Sequence, residues 1–347
     1  MKNTIILTGG GTAGHVIPNI ALIPKLRQHF DEIYYIGSNN GIEKDLIAKQ
    51  QNINYIAIPT TKLIRKLSLK NVSIPFVLIN SIMKCIKIIK QIKPKVIFAK
   101  GGYVSVPVVI AGALLKIPII AHESDSTIGL ANKLIYKKCN TMFFSFREAM
   151  KGYEKKGVFS GSPIREEFLT KNKSYIQSPS PKPTITIVGG SLGSSALNTL
   201  IINSLPNLNN YNIIHIVGKG KLNNNIKSPN YTQIEFVDDI ASLYAKSDIV
   251  ISRAGSNAIF ELLAMTKPMI LIPLPKDESR GDQIINAHIF EKLGYAVMLD
   301  QKTLTSDILT NKILYLLQNK TKYISKMQTF NNHNANKTIV DKLLTYI

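Results

Sequence analysis

The sequence holds only two cysteines, Cys85 and Cys139, and no tryptophan. The cysteines stand in no metal-ligand spacing and no pair pattern. That excludes a disulfide scaffold or zinc module and fits a reducing compartment. Long apolar runs are missing too. No stretch approaches the roughly 20 residues that a membrane-spanning helix needs. The first apolar run, residues 4–8, is short and ends in glycines, so it reads as a strand rather than the core of a secretion signal. A cytoplasmic chain that does not cross a membrane is expected. Acidic residues are also scarce: 22 Asp and Glu against 43 Lys and Arg leave a net charge of +21. Such an excess suits a polyanionic partner, either nucleic acid or an anionic membrane surface. The lysines are spread along the chain and accompany abundant Ile and Asn, so most of the excess reads as compositional bias. A basic nucleic-acid binder is the rival from another class. It would need aromatic stacking runs or a recognised module, and the chain has neither.

What is present is enough apolar material for two ordinary domains: 347 residues, 45% of them hydrophobic. Short apolar runs alternate with helical patterns from end to end. Strands are expected over 4–8, 33–37, 55–58, 96–99, 117–121, 141–144 and 157–159. Helices are expected over 16–30, 41–50, 75–90 and 104–115. This is the rhythm of a doubly wound parallel sheet. A polar stretch, 171–183, reads as a linker. The rhythm then restarts with strands at 184–188, 213–217, 233–236, 249–252, 269–272 and 296–299. The chain should therefore fold as α/β in two Rossmann-like halves, 1–162 and 163–330, whose parallel sheets face an interdomain cleft. A last helix over about 331–347 is free to pack back on the first half.

Each half opens with a strand and a glycine turn. The first turn is Gly9-Gly10-Gly11-Thr12-Ala13-Gly14-His15. Such a turn brings backbone N–H groups and a helix N-terminus close to a phosphate or a developing anion. His15 adds a side chain that moves protons near neutral pH. The dinucleotide and Walker spacings are both absent, which weakens NAD and ATP readings. The second turn is Gly189-Gly190-Ser191-Leu192-Gly193-Ser194, where Ser191 offers a hydroxyl to a phosphate oxygen. Gly161-Ser162-Pro163-Ile164-Arg165 leaves a guanidinium suited to a diphosphate where the halves join. Ser252 to Glu261 is a third strand–turn–helix, in which Ser256 can cap the helix and Glu261 can bond sugar hydroxyls. Gln283 and Asn286 supply amides for the same purpose. Lys100-Gly101-Gly102-Tyr103 and His122-Glu123-Ser124-Asp125 complete a polar rim with His15.

In order and spacing, these motifs resemble the MurG family of glycosyltransferases. That family transfers N-acetylglucosamine to undecaprenyl-diphospho-muramoylpentapeptide. The resemblance runs from residue 4 to about residue 300. It implies a GT-B fold, an inverting transfer from UDP-N-acetylglucosamine to the 4-hydroxyl of lipid I, and no metal or cofactor. It also implies peripheral attachment to an anionic membrane at the cytoplasmic face, and no nucleic-acid partner. Carried over by position, Thr12, Ala13 and Gly14 lie beside the donor, and Tyr103 and Asp125 belong to the substrate rim. Arg165 and Ser191 contact the diphosphate. Val237 lies against the uracil by its main chain. Ser256, Asn257 and Ala258 bind phosphate and ribose, and Glu261 holds ribose hydroxyls. Gln283, with Asn286 nearby, bonds the sugar.

His15 is the first candidate for the base, with Glu123 and Asp125 as alternatives. Where the family usually reads His-Glu-Gln-Asn, this chain has Ser124 and Asp125, which puts a charge in that position. Asp238-Asp239 lacks the spacing of a metal-binding DxD motif. The apolar segment 74–90 carries Lys84, Lys87 and Lys90, with Lys62, Arg65, Lys66 and Lys70 nearby. With a lipid-linked acceptor it reads as an interfacial patch. Another GT-B transferase, or a hydrolysing UDP-N-acetylglucosamine epimerase, is the nearest alternative.

Overall fold

The computed structural model describes residues 2–61, 74–170, 181–190, 193–330 and 334–347. The chain divides into two units. Unit 1 is Met1–Arg165 with Asn334–Ile347, and unit 2 is Glu166–His333.

Unit 1 is built on a seven-stranded sheet. Its strands are β1 (Thr4–Thr8), β2 (Glu32–Ser38), β3 (Asn54–Ile58), β4 (Val96–Ala99), β5 (Ile119–Glu123), β6 (Thr141–Phe144) and β7 (Gly157–Phe159). All pair in parallel, in the order β3-β2-β1-β4-β5-β6-β7. The order reverses between β1 and β4, where Thr8 lies opposite Ala99. Open parallel sheets hold ligands beyond the strand ends at such a switch point. The glycine turn follows β1 and the Lys100–Tyr103 turn follows β4, so both flank it.

Apolar residues alternate between the faces of these strands and bury both. Ile5, Leu7, Phe98 and Ile120 pack with Leu22 and Leu26 of the first helix, α1 (Ile17–Leu26), and with Val16 at its cap. The final helix of the chain, α14 (Ala335–Leu344), adds Ile339, Val340 and Leu343 to this core. Its Asn336 is buried and bonds three backbone groups. The side chain accepts from Ile164 N at 3.0 Å and donates to Ile164 O and Ala21 O at 2.7 and 3.3 Å. A two-ended amide with every group matched clamps the 161–165 segment and α1 to α14.

Two boundaries in unit 1 differ from the sequence pattern for clear reasons. The strand expected at 117–121 runs instead over Ile119–Glu123. Pro118 has no N–H to give the ladder, and Lys116 takes a left-handed turn, φ 59°. The shift brings His122 and Glu123 into the sheet. Helix α1 ends at Leu26, not 30, and the next four residues turn back to begin β2.

Unit 2 has a six-stranded parallel sheet in the order β10-β9-β8-β11-β12-β13. Its strands are β8 (Thr184–Val188), β9 (Asn212–Ile216), β10 (Tyr231–Ile234), β11 (Ile249–Ser252), β12 (Met269–Leu271) and β13 (Ala296–Met298). The switch point lies between β8 and β11, with Val188 opposite Ser252. The second glycine turn follows β8 and the Arg253–Gly255 turn follows β11. Each sheet therefore carries two of the sequence motifs at its own switch point. The expected linker falls largely on residues 171–180, outside the described residues. Among the described residues, no helix is long and apolar enough to cross a membrane.

Candidate active site

In unit 1 the glycine turn is held from below by side chains that the sequence pattern did not flag. Glu43 is fully buried in the first turn of α2 (Ile42–Ala48). Its carboxylate accepts from Gly11 N at 3.1 Å, from Ser38 N at 3.0 Å and from Ser38 Oγ. The Gly11 amide therefore serves the scaffold. Tyr35 donates its hydroxyl to Gly9 O at 2.7 Å, and Asn19 bonds Thr8 O, His15 O and the Tyr35 hydroxyl. Gly11 has φ 83°, and a Cβ there would stand 2.6 Å from the Tyr103 ring. The ring of Tyr103 can lie over the turn only because this position is glycine.

The turn ends in one 3-10 turn, Ala13–His15. Thr12 and Gly14 are exposed, and Ala13 and His15 half-buried. Thr12 Oγ1 and His15 Nδ1 are 3.0 Å apart. With Nδ1–H donating to the hydroxyl, Nε2 keeps the lone pair that a base needs.

The β5 rim is organised around Glu123. Its Oε1 accepts from Asp125 N at 3.0 Å, and its Oε2 accepts from Gly129 N at 3.0 Å and Asn132 Nδ2 at 2.9 Å. Three donors on a buried carboxylate make it an anchor for the 124–129 loop. His122 is fully buried with Nε2 3.0 Å from Gly161 O. Burial, and then the charge of Lys100, push its pKa well below the usual value, so it is neutral. Asp125 and Arg165 are half-buried.

In unit 2 the second turn is shaped by backbone proximity. Gly193 has φ 66°, and a Cβ there would fall 2.1 Å from Val217 O. Ser194 caps α8 (Ser195–Ser204), accepting from Leu197 N at 3.4 Å. Arg253 is buried. It donates to Ile272 O at 2.9 Å and to Ser194 Oγ, tying the two switch-point turns together. Ser191 lies outside the described residues.

Helix α10 (Ser256–Ala264) starts with Gly255 as its cap, and no side chain caps it. The capping part expected of Ser256 is thus corrected. Ser256 is the first helical residue, and it is buried. Asn257 and Ala258 follow in the first turn, half-buried, where N–H groups lack intrahelical partners. Glu261 is 7% exposed, so it is no solvent-facing glutamate.

Val237 is half-buried between β10 and α9 (Ile240–Lys246). Asp239 caps α9, accepting from Ser242 N at 3.0 Å, so at least one member of the Asp pair is structural. In α11 (Asp282–Lys292), Gln283 Oε1 accepts from Leu274 N at 3.0 Å, leaving its NH2 as the donor end. Asn286 is fully buried and donates to Ala254 O at 3.2 Å. It braces the Arg253–Gly255 turn.

Sequence comparison matches two family models, the second of which runs on into the final helix of unit 1. The Glycosyltransferase family 28 N-terminal domain matches residues 5–144, and the Glycosyltransferase family 28 C-terminal domain matches residues 184–343. The UDP-N-acetylglucosamine--N-acetylmuramyl-(pentapeptide) pyrophosphoryl-undecaprenol N-acetylglucosamine transferase of Clostridium tetani is 48% identical, covering 100% of this chain and 99% of its own length. That of Clostridium novyi is 47% identical over 100% and 98%. Among solved structures, the Acinetobacter baumannii MurG matches with a TM-score of 0.80 at 26% identity, covering 99% of each chain. The fold is that of the GT-B glycosyltransferases, and the chain is a glycosyltransferase belonging to the MurG family within glycosyltransferase family 28.

Proposed function

We propose that this chain transfers N-acetylglucosamine from UDP-N-acetylglucosamine to the muramoyl 4-hydroxyl of lipid I, inverting the anomeric carbon and yielding lipid II for peptidoglycan. The acceptor oxygen bonds the anomeric carbon as the bond to UDP breaks. The hydroxyl proton leaves to a base, and the negative charge moves onto the UDP diphosphate. The observation that carries this reading is the Thr12–His15 pair, 3.0 Å apart at the exposed end of the switch-point turn. Nε2 of His15 takes the proton, and Thr12 fixes the ring. Thr12, Ala13 and Gly14 lie beside the donor, and Tyr103 and Asp125 meet the acceptor.

Unit 2 holds the donor. The first turn of α10, at Ser256, Asn257 and Ala258, receives phosphate and ribose. Glu261 takes ribose hydroxyls, Val237 meets the uracil by its backbone, and Gln283 donates to the sugar. The charge of the leaving UDP falls to Ser191 and the helix N-terminus, and to Arg165, which belongs to unit 1. UDP release measured with and without a lipid I analogue tests the assignment. Release that depends on acceptor is expected. Equal turnover of donor alone would make this a hydrolase or epimerase.

A lipid-linked acceptor requires contact with a membrane surface. Helix α3 (Ile74–Ile92) buries Ser81, Cys85, Ile88 and Ile89 and turns Phe76, Ile79 and Met83 outward, Phe76 being 74% exposed. Lys87 and Lys90 continue the same stripe and are exposed, whereas Lys84 donates to Ala57 O at 2.8 Å. Apolar residues followed by lysines suit an acyl boundary beneath anionic headgroups at the cytoplasmic face. Lys62, Arg65, Lys66 and Lys70 lie outside the described residues. Lys87→Glu with Lys90→Glu should weaken binding to anionic vesicles by about 1 kcal/mol per lysine removed. Undiminished sedimentation with such vesicles would refute the patch.

A further inference from the structure

Lys100 is wholly buried at the end of β4, and the reaction as described gives it no part. A buried ammonium costs several kcal/mol unless it is paired and hydrogen-bonded, so its partners reveal its use. Its N–H donates to Thr8 O at 2.8 Å, and a Cβ on Gly9 would stand 3.1 Å from the Lys100 Cβ. Its Nζ donates to Ser124 Oγ. The side chain thus runs from the root of the glycine turn to the loop after β5.

Ser124 stands between two carboxylates, Glu123 and Asp125, and both favour the charged lysine. Glu123 is committed to three N–H donors. Asp125 is half-buried at the rim, its N–H tied to Glu123. Burial pulls the lysine pKa down to about 8, and the two carboxylates oppose that fall. A carboxylate at a rim that must receive a diphosphate-bearing acceptor repels it, and a cation directly behind the loop reduces that repulsion.

We propose that Lys100 is a positioning residue for the acceptor: its buried ammonium, bonded to Ser124 Oγ between the carboxylates of Glu123 and Asp125, holds the 124–129 loop in its working place. The proposal rests on the reading that unit 1 receives the acceptor.

The test is a double-mutant cycle of Lys100→Met and Asp125→Asn, with kcat and acceptor KM measured on a lipid I analogue and the dissociation constant for UDP-N-acetylglucosamine measured separately. Lys100→Met should raise acceptor KM about tenfold and leave donor affinity within about twofold. In the Asp125→Asn background the same change should cost less, because the carboxylate that remains, Glu123, already accepts from three N–H donors. Losses that multiply, or an unchanged acceptor KM, would overturn the proposal. If Lys100→Met does not fold, Ser124→Ala cuts the Nζ bond without deleting the charge. A smaller rise in acceptor KM is then expected, and no rise refutes the role. Unsubstituted enzyme that releases UDP equally without acceptor would instead refute the underlying reading.

Discussion

The two glycine turns occupy equivalent places, each following the first strand of its sheet at the switch point, yet they are braced differently. The turn of unit 1 rests on side chains: Glu43 on Gly11, Tyr35 on Gly9, Asn19 on His15. The turn of unit 2 runs its backbone close to that of Val217 at Gly193, with Asn198 bonding Val217 O behind it and Arg253 crossing to Ser194. The first turn ends in a histidine with one ring nitrogen oriented by a hydroxyl. Side-chain bracing fixes the direction of a reacting group, and close backbone approach shapes a surface for an anion. The contrast fits a division in which unit 1 carries the proton transfer and unit 2 holds the donor.

The sharpest way to break this contrast is Gly193→Ala. A Cβ 2.1 Å from a backbone oxygen, at φ 66°, forces the turn to move. A loss of about 3–5 kcal/mol in stability, with donor affinity falling as well, is expected. Ordinary thermal unfolding and donor affinity in that variant would show that the turn yields easily.

The brace behind Gly193 titrates. Asn198 donates to Val217 O at 2.9 Å and bonds His215 Nε2 at 3.0 Å, and His215 Nδ1 lies 2.9 Å from the Tyr231 hydroxyl. Burial pushes the His215 pKa down to about 4, against about 6.5 in an unfolded chain. The fold therefore prefers the neutral ring. Its contribution is complete above about pH 6.5 and is lost as pH falls toward 4, by about 1.4 kcal/mol per pH unit. Urea unfolding between pH 4 and 7 should be less steep in pH for His215→Gln than for the unsubstituted chain. Identical pH slopes would remove His215 from the brace.

Glu43→Gln probes the other turn. The amide presents an N–H to groups that donate, so at least one bond to Gly11 or Ser38 is lost, costing about 1–3 kcal/mol. Turnover should fall more than donor affinity. Loss of donor affinity with unchanged kcat would reverse the assignment of the two turns.

Much of this was legible in the chain. Strands such as Thr4–Thr8, Val96–Ala99, Thr184–Val188 and Ile249–Ser252 stand where their apolar runs end in turn residues. What escaped depends on long-range pairing. Glu43 sits in a helix start where acidic residues are common, and nothing local announces that its carboxylate serves a glycine 32 residues earlier. Asn336 clamps Ile164 across 172 residues. Glu123 looked like a base because a rim carboxylate is chemically apt. The residues that occupy its oxygens lie up to nine positions on, across the 124–129 loop and into the helix Leu130–Lys138 that follows it, and no periodicity predicts that path. Asn286 is buried on α11 and donates to Ala254 O, 32 residues earlier, another long-range pairing.

The most direct test of the central division is His15→Ala, assayed for turnover on a lipid I analogue and, separately, for UDP-N-acetylglucosamine binding. Loss of a general base should lower kcat by about 10²–10⁴-fold. Donor affinity should stay within about twofold, because the proposed function assigns the donor to unit 2. Near-normal turnover, or a fall in donor affinity as large as the fall in kcat, would contradict the account.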